Sequence, residues 1–377
     1  MDEVKIAAVG DTMLGGKVND AIERYGVKYI FGKIKNFIEG DSVFFLNLEM
    51  PFSNNAPPHL PHVHPSFRVS SEMVRVLRFL GVDVVNIGTN HIKDFGEEGI
   101  GKTITVLRKN GIYPIGAGMD EFEAREPVII VKGGVKIGFL GYCKNGEYTA
   151  NFRNSGSAPF NLDKILQDIR KLKPTVDVVV LSLHWGSELS EYPTPEQVKL
   201  AHQFIDEGSR IIIGHHPHVI QGIEHYHNGI IFYSLGNFLF DNYAGKVVYD
   251  GMMRERSESF VAIIKITGEQ MEYKIVPLYF NENFQIKIAE GERREKILQK
   301  IKRISSVITN GNLGEMYFNV GIGNLVKREI KTYLKRFKKE RMGFLLWALK
   351  NFKWRYITSL ARFLIYRIKN KIFRSRK

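Results

Sequence analysis

The chain has 377 residues, of which 44% are hydrophobic and 25% charged, a composition typical of a globular protein. This composition excludes collagen-like and intrinsically disordered chains, and the length suits one large α/β domain or two smaller ones. Cys143 is the single cysteine, which excludes a disulfide framework and a zinc site of the CxxC type.

The positive charge is concentrated at the C-terminus. Residues 327–377 contain 18 lysines and arginines against two acids, a net charge of +16, whereas the whole chain carries +14. Residues 1–326 therefore sum to −2. A nucleic-acid enzyme usually carries its basic excess on the folded body as well, so this distribution argues against one.

Apolar runs and helical patterns alternate along residues 3–308, an order that predicts an α/β fold with largely buried strands. The predicted strands are 3–9, 43–46, 82–87, 112–115, 177–183, 210–213, 230–234, 259–266 and 271–279. The predicted helices are 18–39, 71–80, 97–110, 161–172, 195–207 and 292–308. Gly133 and Gly134 separate the runs 127–131 and 135–140 and predict a hairpin. Residues 51–65 hold five prolines and predict an irregular loop.

Six polar residues follow predicted strands at the point where each strand ends. Ligands bind at the carboxyl ends of strands in open α/β sheets, so we expect these six side chains to meet at one edge. The alternative for any one of them is a role in capping a turn. The six are Asp11, Glu49, Asn90, His184, His216 and His218.

This combination of side chains predicts a metal site. Carboxylate, imidazole and amide oxygen together suit Zn²⁺, Mn²⁺ or Fe²⁺ better than Ca²⁺, which prefers oxygen ligands alone. Three more histidines, His59, His62 and His64, lie in the proline-rich loop. They either line the rim of the site or are exposed to solvent, and we favour exposure.

Six motifs carry a resemblance to a known family. They are Gly10-Asp11-Thr12-Met13-Leu14-Gly15, Asn47-Leu48-Glu49, Asn90-His91-Ile92-Lys93-Asp94-Phe95-Gly96, His184-Trp185-Gly186-Ser187-Glu188, Gly214-His215-His216-Pro217-His218-Val219-Ile220-Gln221 and Tyr233-Ser234-Leu235-Gly236-Asn237-Phe238. In this order they resemble the CapA family of poly-γ-glutamate capsule synthesis proteins, over about residues 4–305. The resemblance implies a calcineurin-like metallophosphoesterase fold, a two-sheet αββα sandwich. We expect that domain at 1–310 and a basic amphipathic helical tail at 311–377.

The resemblance also implies roles for individual residues. Carried over by position, Glu49 corresponds to a carboxylate that bridges two metals, and His91 to the general acid toward the leaving group. Asp94 lies three residues after His91 and is placed to hold its imidazole. The implied cofactor is one or two divalent ions, Mn, Zn or Fe. The implied metal ligands are Asp11, Glu49, Asn90, His184, His216 and His218.

The sequence departs from the family pattern at several positions. The first metal-binding motif of metallophosphoesterases usually contains a histidine where this chain has methionine. That change predicts that one of the two metal sites is weak or empty. The departures are Met13 for histidine, Glu49 for aspartate, Thr89 for asparagine, Leu189 for tyrosine, and Gly16, next to Lys17, for a basic residue.

The resemblance implies a metal-dependent phosphoesterase-like hydrolase in the synthesis or turnover of capsule, poly-γ-glutamate or another cell-surface polymer. Its expected partners are an anionic polymer or phosphoester substrate and other polymer-biosynthesis proteins. The alternative is a non-enzymatic accessory protein on the same fold, which Met13 favours, whereas His91 with Asp94 favours the enzyme. A nuclease is the weakest hypothesis, and we do not expect a nucleic-acid partner.

The C-terminal tail predicts membrane association. Between residues 327 and 372, apolar side chains recur at helical spacing among basic ones, accompanied by tryptophans and tyrosines. Such helices are expected to lie on an anionic membrane surface, and the alternative is that they pack on the body or form an oligomer face. No secretory signal is visible, and the longest strongly apolar stretch near the C-terminus is 343–349. We therefore expect a cytoplasmic protein, peripheral on the inner face of the membrane.

Overall fold

The structure is a computed structural model that describes residues 3–38, 40, 42–54, 58, 67–144, 149–241 and 256–318. Its strands, in chain order, are β1 (Glu3–Thr12), β2 (Ser42–Leu48), β3 (Val84–Asn86), β4 (Tyr113–Ile115), β5 (Ala117–Gly118), β6 (Val128–Lys132), β7 (Val135–Cys143), β8 (Gly156–Ser157), β9 (Val178–His184), β10 (Ile211–His215), β11 (Ile223–Tyr226), β12 (Gly229–Phe232), β13 (Asn237–Leu239), β14 (Glu258–Thr267), β15 (Gln270–Phe280) and β16 (Ile286–Ile288). Its α-helices are α1 (Gly16–Tyr25), α2 (Val27–Ile38), α3 (Val74–Leu80), α4 (Gly96–Lys109), α5 (Glu121–Ala124), α6 (Leu162–Leu172), α7 (Pro195–Glu207), α8 (Gly291–Thr309) and α9 (Leu313–Met316). Short 3₁₀ helices cover Ser71–Met73 and Lys173–Thr175.

One predicted helix is wrong in the structure. The single helix expected over 18–39 is two helices, α1 and α2, because the chain turns between them at Gly26. Gly26 has a φ of 83°, a backbone conformation that residues with a side chain rarely adopt, so the helix cannot continue through it. The hairpin at Gly133 and Gly134 is confirmed, with φ values of 58° and 81°.

Most of the described strands form two large sheets that contain parallel strands, and β5 and β8 pair separately. In the first sheet the order is β16-β15-β14-β1-β2-β3-β4, and β13 also pairs with β1. In the second sheet the order is β11-β12-β10-β9-β7-β6. β1, β2 and β3 run parallel to one another, as do β7, β9 and β10. Each sheet therefore brings the carboxyl ends of neighbouring parallel strands to one edge.

Alternation along the strands sends side chains to opposite faces and so creates three apolar layers. Ile6, Phe45, Val180 and Ile213 belong to the layer between the two sheets. A second layer joins the first sheet to α1, α2, α3 and α4, and a third joins the second sheet to α6, α7 and α8. The predicted αββα sandwich is therefore confirmed.

The last described residues pack against the α/β sandwich. Leu313 and Tyr317, which follow the expected domain boundary at 310, are buried in the third layer. The rest of the predicted tail lies outside the described residues, as do His59, His62 and His64. In the part of the chain that the structure describes, no helix is both long and apolar enough to cross a membrane.

Candidate metal centre

All six strand-end residues lie at the carboxyl edge where the two sheets face each other. Asp11 is the next-to-last residue of β1, and Glu49 follows β2 directly. Asn90 lies in the turn after β3, and His184 is the last residue of β9. His216 and His218 follow β10. The first sheet thus supplies oxygen donors and the second sheet supplies imidazoles.

Glu49, His184 and His216 form one set of donors, which we call the histidine-rich group. Their donor atoms all lie within 4.8 Å of one another. His184 Nε2 is 3.6 Å from Glu49 Oε1 and 3.1 Å from His216 Nδ1. The amide oxygen of Asn90 lies 2.8 Å from the same His184 nitrogen. Asn90 is therefore close enough to add a fourth donor to this group.

Asp11, Glu49 and His218 form a second set, the aspartate group, with the same mutual spacing of 4.8 Å or less. His218 Nδ1 lies 3.3 Å from Asp11 Oδ2, and His218 Nε2 lies 3.6 Å from Glu49 Oε1. Glu49 belongs to both groups. The arrangement can therefore hold two cations with one carboxylate between them.

The turn that carries the two later histidines has an unusual backbone. His216 and His218 have φ values of 95° and 59°, in the left-handed region. For residues other than glycine such conformations cost on the order of 1–3 kcal/mol each and persist where surrounding contacts impose them. Here the His216 amide donates to Asp11 Oδ2 at 3.1 Å, and the Leu189 amide donates to the Pro217 carbonyl at 2.8 Å. These contacts aim both imidazoles at the carboxylates.

Glu49 is electrostatically unsatisfied. Its side chain has no exposed surface, and among the described residues neither carboxylate oxygen has a hydrogen-bond partner. Burial, followed by the charges of Asp11 and Glu188, raises the pKa of Glu49 well above its ordinary value. A buried carboxylate in this state is costly unless a positive charge neutralises it. The site therefore fits a bound cation.

The other donors are in protonation states that suit a metal. Burial lowers the pKa of His216 to about 4. Burial, together with the charge of His216, also lowers the pKa of His184 well below its usual range. Burial alone would raise the pKa of Asp11, but contacts with His215 and His218 outweigh it and hold that pKa far below the usual range. The imidazoles of His184 and His216 are thus neutral and Asp11 ionised at pH 7, as metal ligands must be.

A histidine–carboxylate pair lies beside this cluster. His91 Nδ1 is 2.9 Å from Asp94 Oδ2, the contact expected from their spacing in the sequence. The Phe67 amide donates to the same oxygen at 2.7 Å, and the Phe67 ring lies 4.3 Å from the imidazole between centroids. His91 and Asp94 are both buried. The imidazole is therefore held in one orientation.

The family described as "Bacterial capsule synthesis protein PGA_cap" matches residues 5–242 of this chain. The chain belongs to this family. It is 28% identical over 313 residues to "Capsule biosynthesis protein CapA" of Bacillus anthracis, covering 81% of this chain and 74% of the relative. It is 28% identical over 332 residues to "PGA biosynthesis protein CapA" of Bacillus subtilis (strain 168), covering 86% and 85%. The expected resemblance to CapA proteins is confirmed.

A third relative is named as an accessory protein. It is the "Probable polyglutamine synthesis accessory protein Rv0574c" of Mycobacterium tuberculosis, 28% identical over 256 residues, which cover 63% of this chain and 66% of that protein. Among solved structures, a 5′-nucleotidase precursor from Thermus thermophilus aligns with a TM-score of 0.43 and 13% identity, covering 81% of this chain and 60% of that one. That likeness is too low to carry an argument, and the fold stands on the sheets described above.

The structure shows the surroundings of four positions where this PGA_cap member departs from the expected pattern. Met13 is 2% exposed and packs in the apolar layer between the first sheet and its helices. Thr89 is buried and its hydroxyl accepts from the His91 amide at 3.3 Å, and Leu189 has a left-handed φ of 62°. At Gly16, a Cβ atom would lie 2.5 Å from Asp241 Oδ2, so a basic side chain there would require Asp241 to move.

Sequence reasoning missed several residues that touch the donors. Asn47 donates to Asp11 Oδ1 at 2.9 Å, and the fully buried His215 places Nδ1 3.5 Å from that oxygen. The charge of Arg256 lowers the pKa of Glu49, whereas that of Glu188 raises it. Asn47 could have been found from its place two residues before Glu49, which puts both at the end of one strand. Nothing in the sequence alone places Arg256 beside Glu49.

Proposed function

We propose that this protein is a metal-dependent phosphoesterase-like hydrolase in the synthesis or turnover of poly-γ-glutamate capsule or another cell-surface polymer. The observation that carries the proposal is the buried carboxylate of Glu49, which has no hydrogen bond among the described residues and is shared by two sets of donors. A structural role in the apolar interior would leave that charge uncompensated, whereas a cation bound between the groups would neutralise it. Membership of the capsule synthesis family supplies the polymer context.

The proposed ligands divide between the two groups. Glu49, His184, His216 and Asn90 would hold one divalent ion, and Asp11, Glu49 and His218 would hold the other. Imidazole with carboxylate favours manganese, zinc or iron. When bound, such ions polarise a phosphoryl or carbonyl oxygen and activate water as a nucleophile.

His91 is the proposed proton donor. Because Nδ1 faces Asp94 at 2.9 Å, the carboxylate fixes the tautomer and the orientation of the ring. Nε2 is then the atom from which a proton passes to the departing oxygen. Packing against Phe67 keeps the ring from turning away. A positioned acid of this kind accelerates a reaction by about 10²–10⁴-fold.

The second candidate is a non-enzymatic accessory protein that holds or hands on an anionic polymer. The burial of Met13 in an apolar layer favours it, because the aspartate group then has no fourth donor of the usual kind among the described residues. One relative is also named as an accessory protein. The two hypotheses differ in whether the metal centre turns over a substrate.

Metal analysis combined with two substitutions separates these functions. Protein purified without chelator should contain a divalent ion, and His216→Ala should remove it and any hydrolysis of phosphoester or γ-glutamyl substrates. His91→Ala should keep the metal while slowing turnover by about 10²–10⁴-fold. If His91→Ala loses metal as completely as His216→Ala, the assignment of roles is wrong. Bound metal without turnover on any substrate supports the accessory function.

The tail adds a proposed location. Residues 327–377 lie outside the described residues, and their charge of +16 supports binding to an anionic leaflet, at about 1 kcal/mol per engaged basic residue. The proposed location is the inner face of the membrane, with 1–310 as the catalytic domain and 311–377 as the tail. The full chain should sediment with anionic liposomes at low salt, and a chain that ends at Gly323 should not. Equal sedimentation of the two would remove the membrane role.

A further inference from the structure

Two asparagines are fully buried between the sheets, next to the candidate metal centre. Asn47 lies at the end of β2, Asn86 ends β3, and neither has any exposed surface. Asp11 pairs with Asn47 across β1 and β2, and Asn47 pairs with Asn86 across β2 and β3. Three polar side chains therefore stand in register on three adjacent parallel strands. We call Asn86, Asn47 and Asp11 the amide ladder.

The hydrogen bonds of the amide ladder run in one direction. Asn86 Nδ2 donates to Asn47 Oδ1 at 2.7 Å, and Asn47 Nδ2 donates to Asp11 Oδ1 at 2.9 Å. The chain of donors ends at an ionised carboxylate, which makes its last bond a charge-assisted one. Each bond polarises the next, so the bonds strengthen one another in a buried site.

The ladder divides the two oxygens of Asp11 between two tasks. Oδ1 accepts from Asn47 and lies 3.4 Å from the His216 amide, whereas Oδ2 is closer to that amide, at 3.1 Å, and lies 3.3 Å from His218 Nδ1. The oxygen that faces the aspartate group is therefore Oδ2. Without Asn47, Asp11 could rotate about its side-chain bonds and present either oxygen.

The same ladder reaches the histidine-rich group. Asn47 Nδ2 lies 3.4 Å from His184 Nδ1, on the side of the ring opposite the nitrogen that faces Glu49. At its other end, Asn86 Oδ1 accepts from the Gly88 amide at 3.2 Å. This local bond, two residues along the chain, fixes the plane of the Asn86 amide.

The fold leaves room for the ladder at two glycines. A Cβ atom at Gly116 would lie 2.4 Å from Asn86 Oδ1, and one at Gly141 would lie 2.5 Å from the same atom. Both distances are too short for any side chain, so these glycines allow the Asn86 amide to lie where it does. If the Asn86 amide only filled space, it would not need its hydrogen bond to Asn47, which in turn donates to the candidate ligand Asp11.

We propose that Asn47, held by Asn86, is a positioning residue that orients Asp11 toward the metal ion of the aspartate group. This inference rests on the proposed function, because it gives the amides a task only if the donors bind metal. Residues that hold metal ligands from behind typically contribute about 10–100-fold to metal affinity. Asn47 acts through its bond to Asp11 Oδ1, which leaves Oδ2 toward the aspartate group.

The test measures the dissociation constant of Mn²⁺ alone by titration calorimetry on the full chain. Asn47→Ala should weaken binding by about 10–100-fold, and Asn86→Ala by less, because Asn47 keeps its bond to Asp11. The double variant should bind like Asn47→Ala, since Asn86 acts through Asn47. Tyr142→Phe is the matched control. It removes a partly buried hydrogen bond from Tyr142, a residue of the third layer, to Asp168 (2.6 Å), so it should lower stability and leave Mn²⁺ affinity unchanged.

The outcomes separate this inference from the proposed function. A wild-type chain that binds no Mn²⁺ overturns both, whereas a wild-type chain that binds while Asn47→Ala binds equally well overturns only the positioning role. Additive losses in the double variant would also overturn it, because they would mean that the two amides act separately. If Asn47→Ala does not fold, Asn86→Ala decides: unchanged affinity in that variant contradicts the inference, and weakened affinity supports it.

Discussion

The two donor groups of the candidate metal centre share Glu49 but differ in how many donors surround it. The histidine-rich group has two imidazoles with lowered pKa values, and Asn90 lies 2.8 Å from His184 as a further donor. The aspartate group has Asp11, Glu49 and one imidazole, His218. Two groups that share a carboxylate can still differ in their affinity for metal. We therefore expect the histidine-rich group to bind metal more tightly.

The difference originates in one position of the sequence. The position that usually holds a histidine in the first motif holds Met13 in this chain. Met13 packs in an apolar layer instead of facing the donors. Nearby His215 does not replace that histidine, because its nitrogen approaches Asp11 at Oδ1, whereas His218 lies at Oδ2. Four predictions test the comparison, beginning with the change that should affect both groups.

Glu49→Gln should have the largest effect. Because Glu49 belongs to both groups, this substitution should reduce bound metal to background, measured by elemental analysis after purification without chelator. The metal-free variant should nevertheless be more stable than the metal-free wild type at pH 7. Burial raises the pKa of Glu49, so at pH values above the unfolded pKa this carboxyl group lowers the stability of the folded chain, and a neutral amide does not.

The matched control is Glu224→Gln. Glu224 is also buried, but it accepts a hydrogen bond from Tyr233 at 2.6 Å and contacts His202 at 3.1 Å, away from both donor groups. This variant should lose stability and keep its metal. Retention of metal by Glu49→Gln would mean that the two groups do not depend on a shared carboxylate.

His184→Ala and His218→Ala should separate the two groups. His184→Ala removes an imidazole from the tighter group and should strip most of the metal. His218→Ala should leave the histidine-rich group loaded, with one ion per chain at most. Stoichiometry and affinity from Mn²⁺ titration provide the comparison, with the exposed His227→Ala as control. If His218→Ala loses more metal than His184→Ala, our ranking of the groups is reversed.

The pH dependence should come from the shared carboxylate. The pKa of Glu49 is higher in the folded chain than in the unfolded chain. At pH values between these two pKa values, the folded chain therefore binds more protons than the unfolded chain. The stability of the metal-free protein then falls as the pH rises through this range. Metal must displace that proton, so affinity should fall as pH drops through the same range. His216, with a pKa of about 4, adds competition only at lower pH. Calorimetry in buffers of different ionisation enthalpy measures the released proton, and its absence would contradict the raised pKa of Glu49.

The smallest effect concerns the loop after His184, which α8 anchors. Lys300 lies 2.9 Å and Arg303 3.2 Å from Glu191, and together they outweigh burial and lower the pKa of Glu191. An acidic group whose pKa is lower in the folded chain contributes stability at pH values above its unfolded pKa. That stability is lost as the pH falls through the folded pKa. Glu191→Gln should lower the free energy of unfolding by about 1 kcal/mol at pH 7, measured by urea denaturation.

Metal content should not change in Glu191→Gln. The loop contacts the turn of His216 and His218 through the backbone hydrogen bond from Leu189 to Pro217, and the substitution leaves that bond in place. Glu207→Gln, which removes a pair with the exposed Arg170, is the control and should have a smaller effect on stability. A loss of metal in Glu191→Gln would show that α8 supports the donor groups directly.

Much of the framework follows from patterns local in the chain. The helix predicted over 195–207 has its observed bounds, where Thr194 and Gln197 form a capping box and proline occupies the first helical position. Strand ends can be found because buried parallel strands are apolar runs that stop at polar residues. The break at Gly26 escapes prediction because both flanking segments have helical periodicity, and the short strands β5, β8, β13 and β16 offer too few residues for a pattern.

The sequence by itself determined which side chains are available as donors, at which strand ends they stand, and that a metal centre would lie at one edge of an α/β fold. It could not decide that Glu49 serves two groups, that Asp11 presents one oxygen and ties the other to Asn47, or that Met13 turns into an apolar layer. Those facts depend on strand register and on the packing of two sheets against each other. Asp11 and His216 are 205 residues apart in the chain, and only the tertiary structure brings them within hydrogen-bond distance.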